Sequence, residues 1–274
     1  MAPHERKTRL SDLALLGVVL ALTALGGCRS QKQRTVNLVG STSVQPFAEL
    51  LAQEYQSRHP ELNVEVQGGG STAGIQALEN GIAEIGMSSR SLTEAEKAKG
   101  LVPIAIARDG LAIVVHPSNG VTGLSRQQIQ SIFSGLITNW RQVGGSDMPI
   151  RPITREEGSG TREEFIKRVM GKVRVSRGAL VQESNGAVKE LVRGDPGAIG
   201  YMSLGLVGGE LKVLAVDGVE PSVEGIAQGK YPLAREFLFV RHGELSSDAQ
   251  AFVDFVLSDD AQHLLESEGL VRTK

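Results

Sequence analysis

Residues Pro149 to Gly171 read PIRPITREEGSGTREEFIKRVMG. The stretch divides into a strand, a loop rich in hydrogen-bond donors and a helix that Gly171 stops. The loop holds the interest. REEGSGT places a cation, Arg155, a Gly-Ser-Gly turn and a threonine at one helix start, with nothing large to fill it. The first turn of a helix leaves backbone N–H groups unpaired, and its dipole puts partial positive charge there. Glycine lets a ligand approach that backbone, and Ser or Thr hydroxyls add further donors. Such a loop suits a small oxyanion.

The same pattern recurs along the chain. TVNLVG (Thr35–Gly40) reads as a strand, GSTS follows, and a helix carries Phe47, Leu50, Leu51 and Tyr55 on one face. LNVEVQ (Leu62–Gln67) reads as a strand, GGGST follows, and AGIQALEN forms a short helix ended by Gly81. AEIGMSS (Ala83–Ser89) is a third strand ending in serines, and TEAE (Thr93–Glu96) fits a capping box. Leu101–Pro117 reads as two apolar strand runs around a turn at Asp109-Gly110. Beyond it, SRQQ (Ser125–Gln128) caps a helix through Phe133, and Trp140 falls in a loop. Ser184–Gly186 opens another helix, GAIGYMS and YPLAREFLFVRH read as strands, and one C-terminal helix is expected over Ser247–Glu268. Strands alternating with helices predict α/β units built on parallel sheet. Two such sets, separated near His116 and rejoined near Tyr231, predict two lobes.

Four loops thus share one design: Gly40–Ser43, Gly68–Thr72, Ser88–Ser91 and Gly158–Thr161. A single Ser or Thr before a helix is an ordinary N-cap. Capping needs only one hydroxyl, however, and these loops carry two or three. Arg155 adds a formal charge whose planar fork matches two oxygens of a tetrahedral anion, and Glu157 stands close enough in sequence to brace it. Charge-assisted hydrogen bonds contribute about 1.5–3 kcal/mol each, against about −8 kcal/mol for micromolar binding. Local dipoles can therefore hold an anion although the chain's formal charge is −2.

That balance offers no broad basic face and argues against a nucleic-acid partner. The five histidines, His4, His59, His116, His242 and His263, share no metal-ligand spacing. Neither a G-x-S-x-G elbow nor a G-x-x-x-x-G-K-[ST] loop is present, so neither a cofactor nor catalysis is expected. At the N-terminus, Arg6, Lys7 and Arg9 precede an uncharged run from Leu13 to Leu25 and the sequence LGGC, which ends on the only cysteine, Cys28. Basic residues, a short apolar core and small residues make an export signal over 1–27, too short to span a bilayer. LGGC resembles the lipobox of bacterial lipoproteins, which implies a lipidated (palmitate-bearing) Cys28, a polar tether over 28–33 and attachment to the bilayer. One cysteine leaves no internal disulfide.

Six segments together resemble the substrate-binding lipoproteins of bacterial phosphate ABC importers, the PstS family. They are GSTSVQPF (Gly40–Phe47), GGGSTAGI (Gly68–Ile75), IGMSSRSL (Ile85–Leu92), ITNW (Ile137–Trp140), REEGSGTRE (Arg155–Glu163) and PGAIGY (Pro196–Tyr201). The resemblance implies a type II periplasmic-binding-protein fold, two α/β lobes joined by hinge strands with the ligand cleft between them. It places one lobe at 34–116 plus 232–274 and the other at 117–231. It implies phosphate contacts from Thr42, Ser43, Ser71 and Ser89 on one side and from Arg155, Ser159, Gly160 and Thr161 on the other. Ser41, Thr72 and Ser88 are supporting residues, and Glu157 falls where the family keeps the carboxylate that braces the arginine. It further implies a monomeric receptor that delivers inorganic phosphate to ABC permease subunits in the membrane.

One position departs from the familiar pattern: Ser89 stands where many relatives carry an aspartate that accepts the proton of hydrogen phosphate and repels sulfate. A hydroxyl both accepts and donates, so it rejects sulfate less firmly. Other oxyanions, sulfate or molybdate, and a phosphate-sensing envelope protein without transport remain the alternatives.

Overall fold

The computed structural model describes residues 34–273; the export signal, the tether and Cys28 lie outside the described residues. The first part of the chain follows the expected alternation: β1 (Arg34–Gly40), α1 (Gln45–Arg58), β2 (Leu62–Gly68), α2 (Ser71–Glu79), β3 (Ile85–Ser88) and α3 (Glu94–Ala98). Pro46 in the first turn of α1 loses nothing there, because that N–H has no intrahelical acceptor. The capping box at α3 forms between Thr93 and Glu96. β1 pairs in parallel with both β2 and β3, in a register that sets Gly40 level with Gly68 and Met87. Three strands therefore end at one height, and the loops that follow them emerge at one edge of the sheet, where α/β proteins place ligands.

The next strand, β4 (Leu101–Val115), corrects the expected pair of runs. No turn forms at Asp109-Gly110. The strand continues for 15 residues because Asp109 is a buried ion-pair partner rather than a solvated turn residue, and Gly110 packs under Ile226 and Leu204. The Asp-Gly signal is read correctly only with knowledge of what lies across from it.

The second part comprises β5 (Gly123–Leu124), α4 (Arg126–Ser134), β6 (Arg151–Arg155), α5 (Gly160–Phe165), β7 (Leu180–Gln182), α6 (Asn185–Gly194), β8 (Ala198–Ser203), β9 (Lys212–Val216) and α7 (Val223–Ala227). The Ser125–Gln128 capping box opens α4, and α5 continues as a π-turn over Ile166–Met170 before Gly171 ends it. The chain returns through β10 (Ala234–His242) to α8 (Ser247–Val256) and α9 (Asp259–Ser267). The single C-terminal helix expected from sequence is thus two, because Ser258 leaves the helical path to accept the Ala261 N–H and caps α9.

The sheet is not purely parallel. Its order is β2-β1-β3-β10-β4-β8-β6-β7, with β9 also on β4 and β5 on β9. β10 runs antiparallel to β3, and β4 runs antiparallel to β10, β8 and β9. The two strands that cross between the halves come from distant parts of the chain, so neither obeys the right-handed crossover logic that makes the others parallel. β4 changes partner within its length: Gly110 faces Ala234 of β10, and Leu111 faces Ser203 of β8.

Separate cores form on either side of that change. Leu38, Phe47, Leu51, Phe237, Phe239 and Phe252 fill one. Phe133, Trp140, Phe165, Tyr201 and Leu214 fill the other. In the second, the Phe165 and Tyr201 rings stack at 4.0 Å, worth about 0.5–1.5 kcal/mol beyond their buried area. The Tyr201 hydroxyl also accepts the Arg155 N–H at 3.1 Å and pairs with Thr154 Oγ1 at 2.7 Å. Trp140 donates its indole N–H to the Gly197 carbonyl at 3.1 Å. Two of the recognisable motifs, ITNW and PGAIGY, therefore meet, and through Tyr201 they hold the strand that carries Arg155.

Candidate functional site

The strand ends of the two halves face each other across one seam. Ser41, Ser43, Ser71, Ser88, Ser89, Arg155, Ser159 and Thr161 are all buried there, and Thr42 and Thr72 are half-buried. The first half reaches the seam through α1 and α2. Gly70, at φ 94, turns the chain into α2 and passes close to the Gly158 carbonyl; that carbonyl accepts the Thr72 N–H at 3.1 Å. Gly160 begins α5, and a Cβ there would run into the hydroxyls of Ser71 and Ser89. Its lack of a side chain is what lets the second half close on the first.

Arg155 is 1% exposed, which makes its hydrogen bonds decisive. Nε donates to Glu156 Oε2 at 2.9 Å and to the Gln182 carbonyl at 3.1 Å. Nη2 donates to Glu156 Oε1 at 3.0 Å, to the Glu183 carbonyl at 3.1 Å and across the seam to Thr42 Oγ1 at 3.0 Å. Nη1 is buried with no protein partner. The guanidinium is thus gripped along one edge, and a single nitrogen remains for a ligand rather than a two-nitrogen fork. An orphaned cationic donor in a buried seam is costly unless an acceptor meets it.

The brace is Glu156, not the expected Glu157. The ladder extends one residue past β6, the Glu156 N–H donating to the Gln182 carbonyl at 3.2 Å. Gly158, at φ 87, then turns the chain and carries Glu157 out to solvent.

The expected donors come together, by different routes. Ser43 and Thr161 Oγ atoms lie 2.8 Å apart across the seam. Ser41 donates to Ser89 at 2.9 Å, and the Ser89 N–H donates to Ser71 Oγ at 3.1 Å. Ser159 caps α5 by accepting the Arg162 N–H. Ser88 is turned inward, donating to the Arg90 carbonyl at 2.9 Å and buttressing its loop. That loop is not a helix start, because the cap of α3 is Thr93; Ser88 and Ser89 contribute side chains without a helix dipole behind them.

Several residues at the seam carry no motif. Arg235, on β10, donates through Nη1 to Thr161 Oγ1 at 2.8 Å and through Nε to Asp109 Oδ2 at 2.9 Å. Ser203 donates to the other oxygen of Asp109 at 2.9 Å. Burial pushes the Asp109 carboxyl above its ordinary range, with Arg235 and Ser203 acting against it. Asn185 donates through Nδ2 to Ser43 Oγ at 2.9 Å and accepts the Ser203 N–H at 3.1 Å. At the rim, Arg90 pairs with Glu96 at 2.8 Å and, across the seam, with Glu163 at 2.8 Å. Burial draws Arg90 downward, but Glu96 and Glu163 hold it above its ordinary value. A charge inside an apolar run (Asp109 in IARDGLAIVV, Arg235 in PLAREFLFV) is the sequence signal that marks such a pair. Nothing distinguishes Asn185 from a capping residue, or Glu156 from its neighbour.

A model of the PBP superfamily domain matches residues 29–260. A phosphate-binding protein PstS of Bacillus subtilis is 32% identical over 231 residues, 83% of this chain and 77% of that one. This chain belongs to the PstS family. The PstS of Borreliella burgdorferi is 28% identical over 278 residues, covering 97% of this chain and all of the relative. Among solved structures, a candidate phosphate ABC transporter substrate-binding protein with bound phosphate from Clostridium perfringens superposes with a TM-score of 0.86. It is 38% identical, and the match covers 88% of this chain and all of that one. An ABC-type phosphate transport receptor from Vibrio cholerae is 40% identical with a TM-score of 0.74 over 86% of this chain. With PstS membership come the type II periplasmic-binding-protein fold and its two hinged lobes.

Proposed function

We propose that this protein is an extracytoplasmic receptor that captures inorganic phosphate between its lobes and delivers it to an ABC importer. One observation carries the reading: a buried arginine with an orphaned donor, Arg155 Nη1, in a seam that both lobes line with hydroxyls. The phosphate contacts are Thr42, Ser43, Ser71 and Ser89 from one lobe, and Arg155, Ser159, Gly160 and Thr161 from the other. Binding does not involve covalent chemistry; closure traps the anion and creates the surface that a permease reads. The bodies that close are the lobes expected at 34–116 with 232–274 and at 117–231. The separate cores support this division, and the change of strand partners supports a boundary earlier in β4, at Gly110–Leu111.

No helix among the described residues is long and apolar enough to cross a membrane. Attachment rests instead on a lipid at Cys28, with the receptor acting as a monomer. Cys28→Ser should release the protein from the membrane fraction, and retention of that variant would refute the anchor. The function is tested by calorimetric titration of the anion-stripped mature domain with phosphate and then sulfate at neutral pH. One-to-one phosphate binding is the expected result, and binding of neither anion would overturn the reading. Comparable binding of both would make this a broader oxyanion receptor, a reading favoured by the hydroxyl of Ser89 where an aspartate would reject sulfate.

A further inference from the structure

Four hydroxyls of the seam share a feature that none of them shows alone. Each accepts a hydrogen bond from a fixed donor of the protein, three of them across the seam. Thr42 accepts from Arg155 Nη2, Ser43 from Asn185 Nδ2, Thr161 from Arg235 Nη1 and Ser89 from Ser41 Oγ. Two of these donors, Arg155 and Arg235, are guanidiniums with no acceptor to offer. Asn185 is fixed as a donor on this side because its carbonyl oxygen already accepts the Ser203 N–H. Ser41 is fixed as a donor because its oxygen accepts the N–H groups of Ser43 and Val44.

A hydroxyl has one hydrogen to give. Ser43 and Thr161 touch at 2.8 Å, so one of their two hydrogens joins them, and the pair's other partners, Asn185 Nδ2 and Arg235 Nη1, are both donors and cannot take the second. It can be given only to the cleft. We infer that Asn185 and Arg235 are positioning residues that fix the Ser43–Thr161 pair as a net donor, selecting an oxyanion face that carries no proton. This rests on the receptor reading above and deepens it: the preferred ligand is the doubly charged, acceptor-rich form of a tetrahedral oxyanion. The charged groups around the pair are Arg155 with Glu156, Arg235 with Asp109, the buried Glu164 with Arg168, and, at the rim, Arg90 with Glu96 and Glu163.

Calorimetric titrations of the mature domain with phosphate and with sulfate, from about pH 5.5 to 8, test this. Sulfate keeps its charge throughout that range, so any titrating protein group shows in both series, and the ligand's own proton shows in one. For the unaltered protein, phosphate affinity should fall by up to about tenfold per pH unit below phosphate's second ionisation, relative to sulfate. Asn185→Ala frees a lone pair of Ser43 without adding charge. It should weaken sulfate several-fold more than phosphate and flatten the phosphate slope. Asn185→Asp should push both changes further in the same direction. Equal losses for both anions, with an unchanged slope in both variants, would assign Asn185 a packing role and overturn the inference. So would a phosphate affinity in the unaltered protein that does not depend on pH relative to sulfate. Failure of the unaltered protein to bind either anion would instead bring down the receptor reading, and this inference with it.

Discussion

The two lobes meet at one seam with different chemistry. The first brings neutral hydroxyls at the ends of parallel strands: Ser41, Thr42, Ser43, Ser71 and Ser89. The second brings Arg155, and β10, the strand between the lobes, brings Arg235. Arg90, also of the first lobe, stands at the rim with two carboxylates against it. Arg155 reaches Thr42 from the second lobe, and Arg235 reaches Thr161 from β10. On the proposed reading, this division couples affinity to closure. In the proposed receptor, an anion resting on the hydroxyl wall alone would lack the Arg155 contact until the second lobe arrives, and a ligand shifts a conformational equilibrium only by its differential affinity for the two states.

The most severe way to break this asymmetry is to strip Arg235 of its counter-charge. Asp109 and Arg235 are almost wholly inaccessible, and removing one partner of such a pair typically costs about 3–5 kcal/mol. Asp109→Ala should lower stability by that order in urea unfolding; a change below about 1 kcal/mol would show that the pair does not hold the hinge strands. Arg155→Ala comes next. Its charge-assisted contact contributes about 1.5–3 kcal/mol, so phosphate affinity should fall roughly ten- to a hundredfold by calorimetry while the melting transition stays cooperative. Loss of folding with unchanged affinity in the folded fraction would count against that role. A smaller effect is expected at the rim. Glu163 is partly exposed and links Arg90 and Thr72 across the seam, so Glu163→Ala should speed ligand release by no more than about fivefold, the equivalent of 1 kcal/mol or less. An unchanged dissociation rate in stopped flow would show that the rim pair does not latch the lobes.

The smallest effect is one of pH. Burial acts to raise the Glu96 carboxyl, but Arg90 and the Thr93 N–H hold it below its ordinary value of 4.5. A lowered carboxyl stabilises the fold fully above that ordinary value and ceases to do so as pH falls through the folded one. Acid unfolding of the parent should therefore steepen below pH 4.5 relative to Glu96→Gln. Parallel curves for the two would remove Glu96 from the set of groups that lock the rim.

Much of this was legible in the residues themselves. Strand, hydroxyl loop and helix were readable wherever local chemistry decided them, as at the capping boxes of Thr93 and Ser125. Gly40, Gly68 and Met87 come level through register, which has no local signature, yet strands of one type ending in one kind of loop already implied it. Apart from the local cap at Ser258 that splits the C-terminal helix, what escaped was set by partners far off in the chain. The Asp109-Gly110 pair mimics a turn until Arg235, 126 residues away, is placed opposite it. Glu156 and Glu157 are chemically identical, and the bond from the Glu156 N–H to the Gln182 carbonyl, with the turn at Gly158 after it, decides which one faces Arg155. Asn185 resembles any residue at a helix start until Ser203 fixes the direction of its amide.

The long strand β4 has a consequence for the order in which the molecule can be made. Its first ten residues pair only when β10 has been synthesised, and Phe47 and Leu51 wait for Phe237 and Phe252 to close their core. The interior built around Trp140 and Phe165 draws almost entirely on residues 111–233, and so has its parts before the last strand exists. On a growing chain the half begun later is complete earlier, and the half begun first keeps its apolar surface open until the final forty residues arrive. Such closure between distant segments is slow. The N-terminal lobe, with most of the hydroxyl wall, is therefore the portion of this protein most in need of protection before it folds.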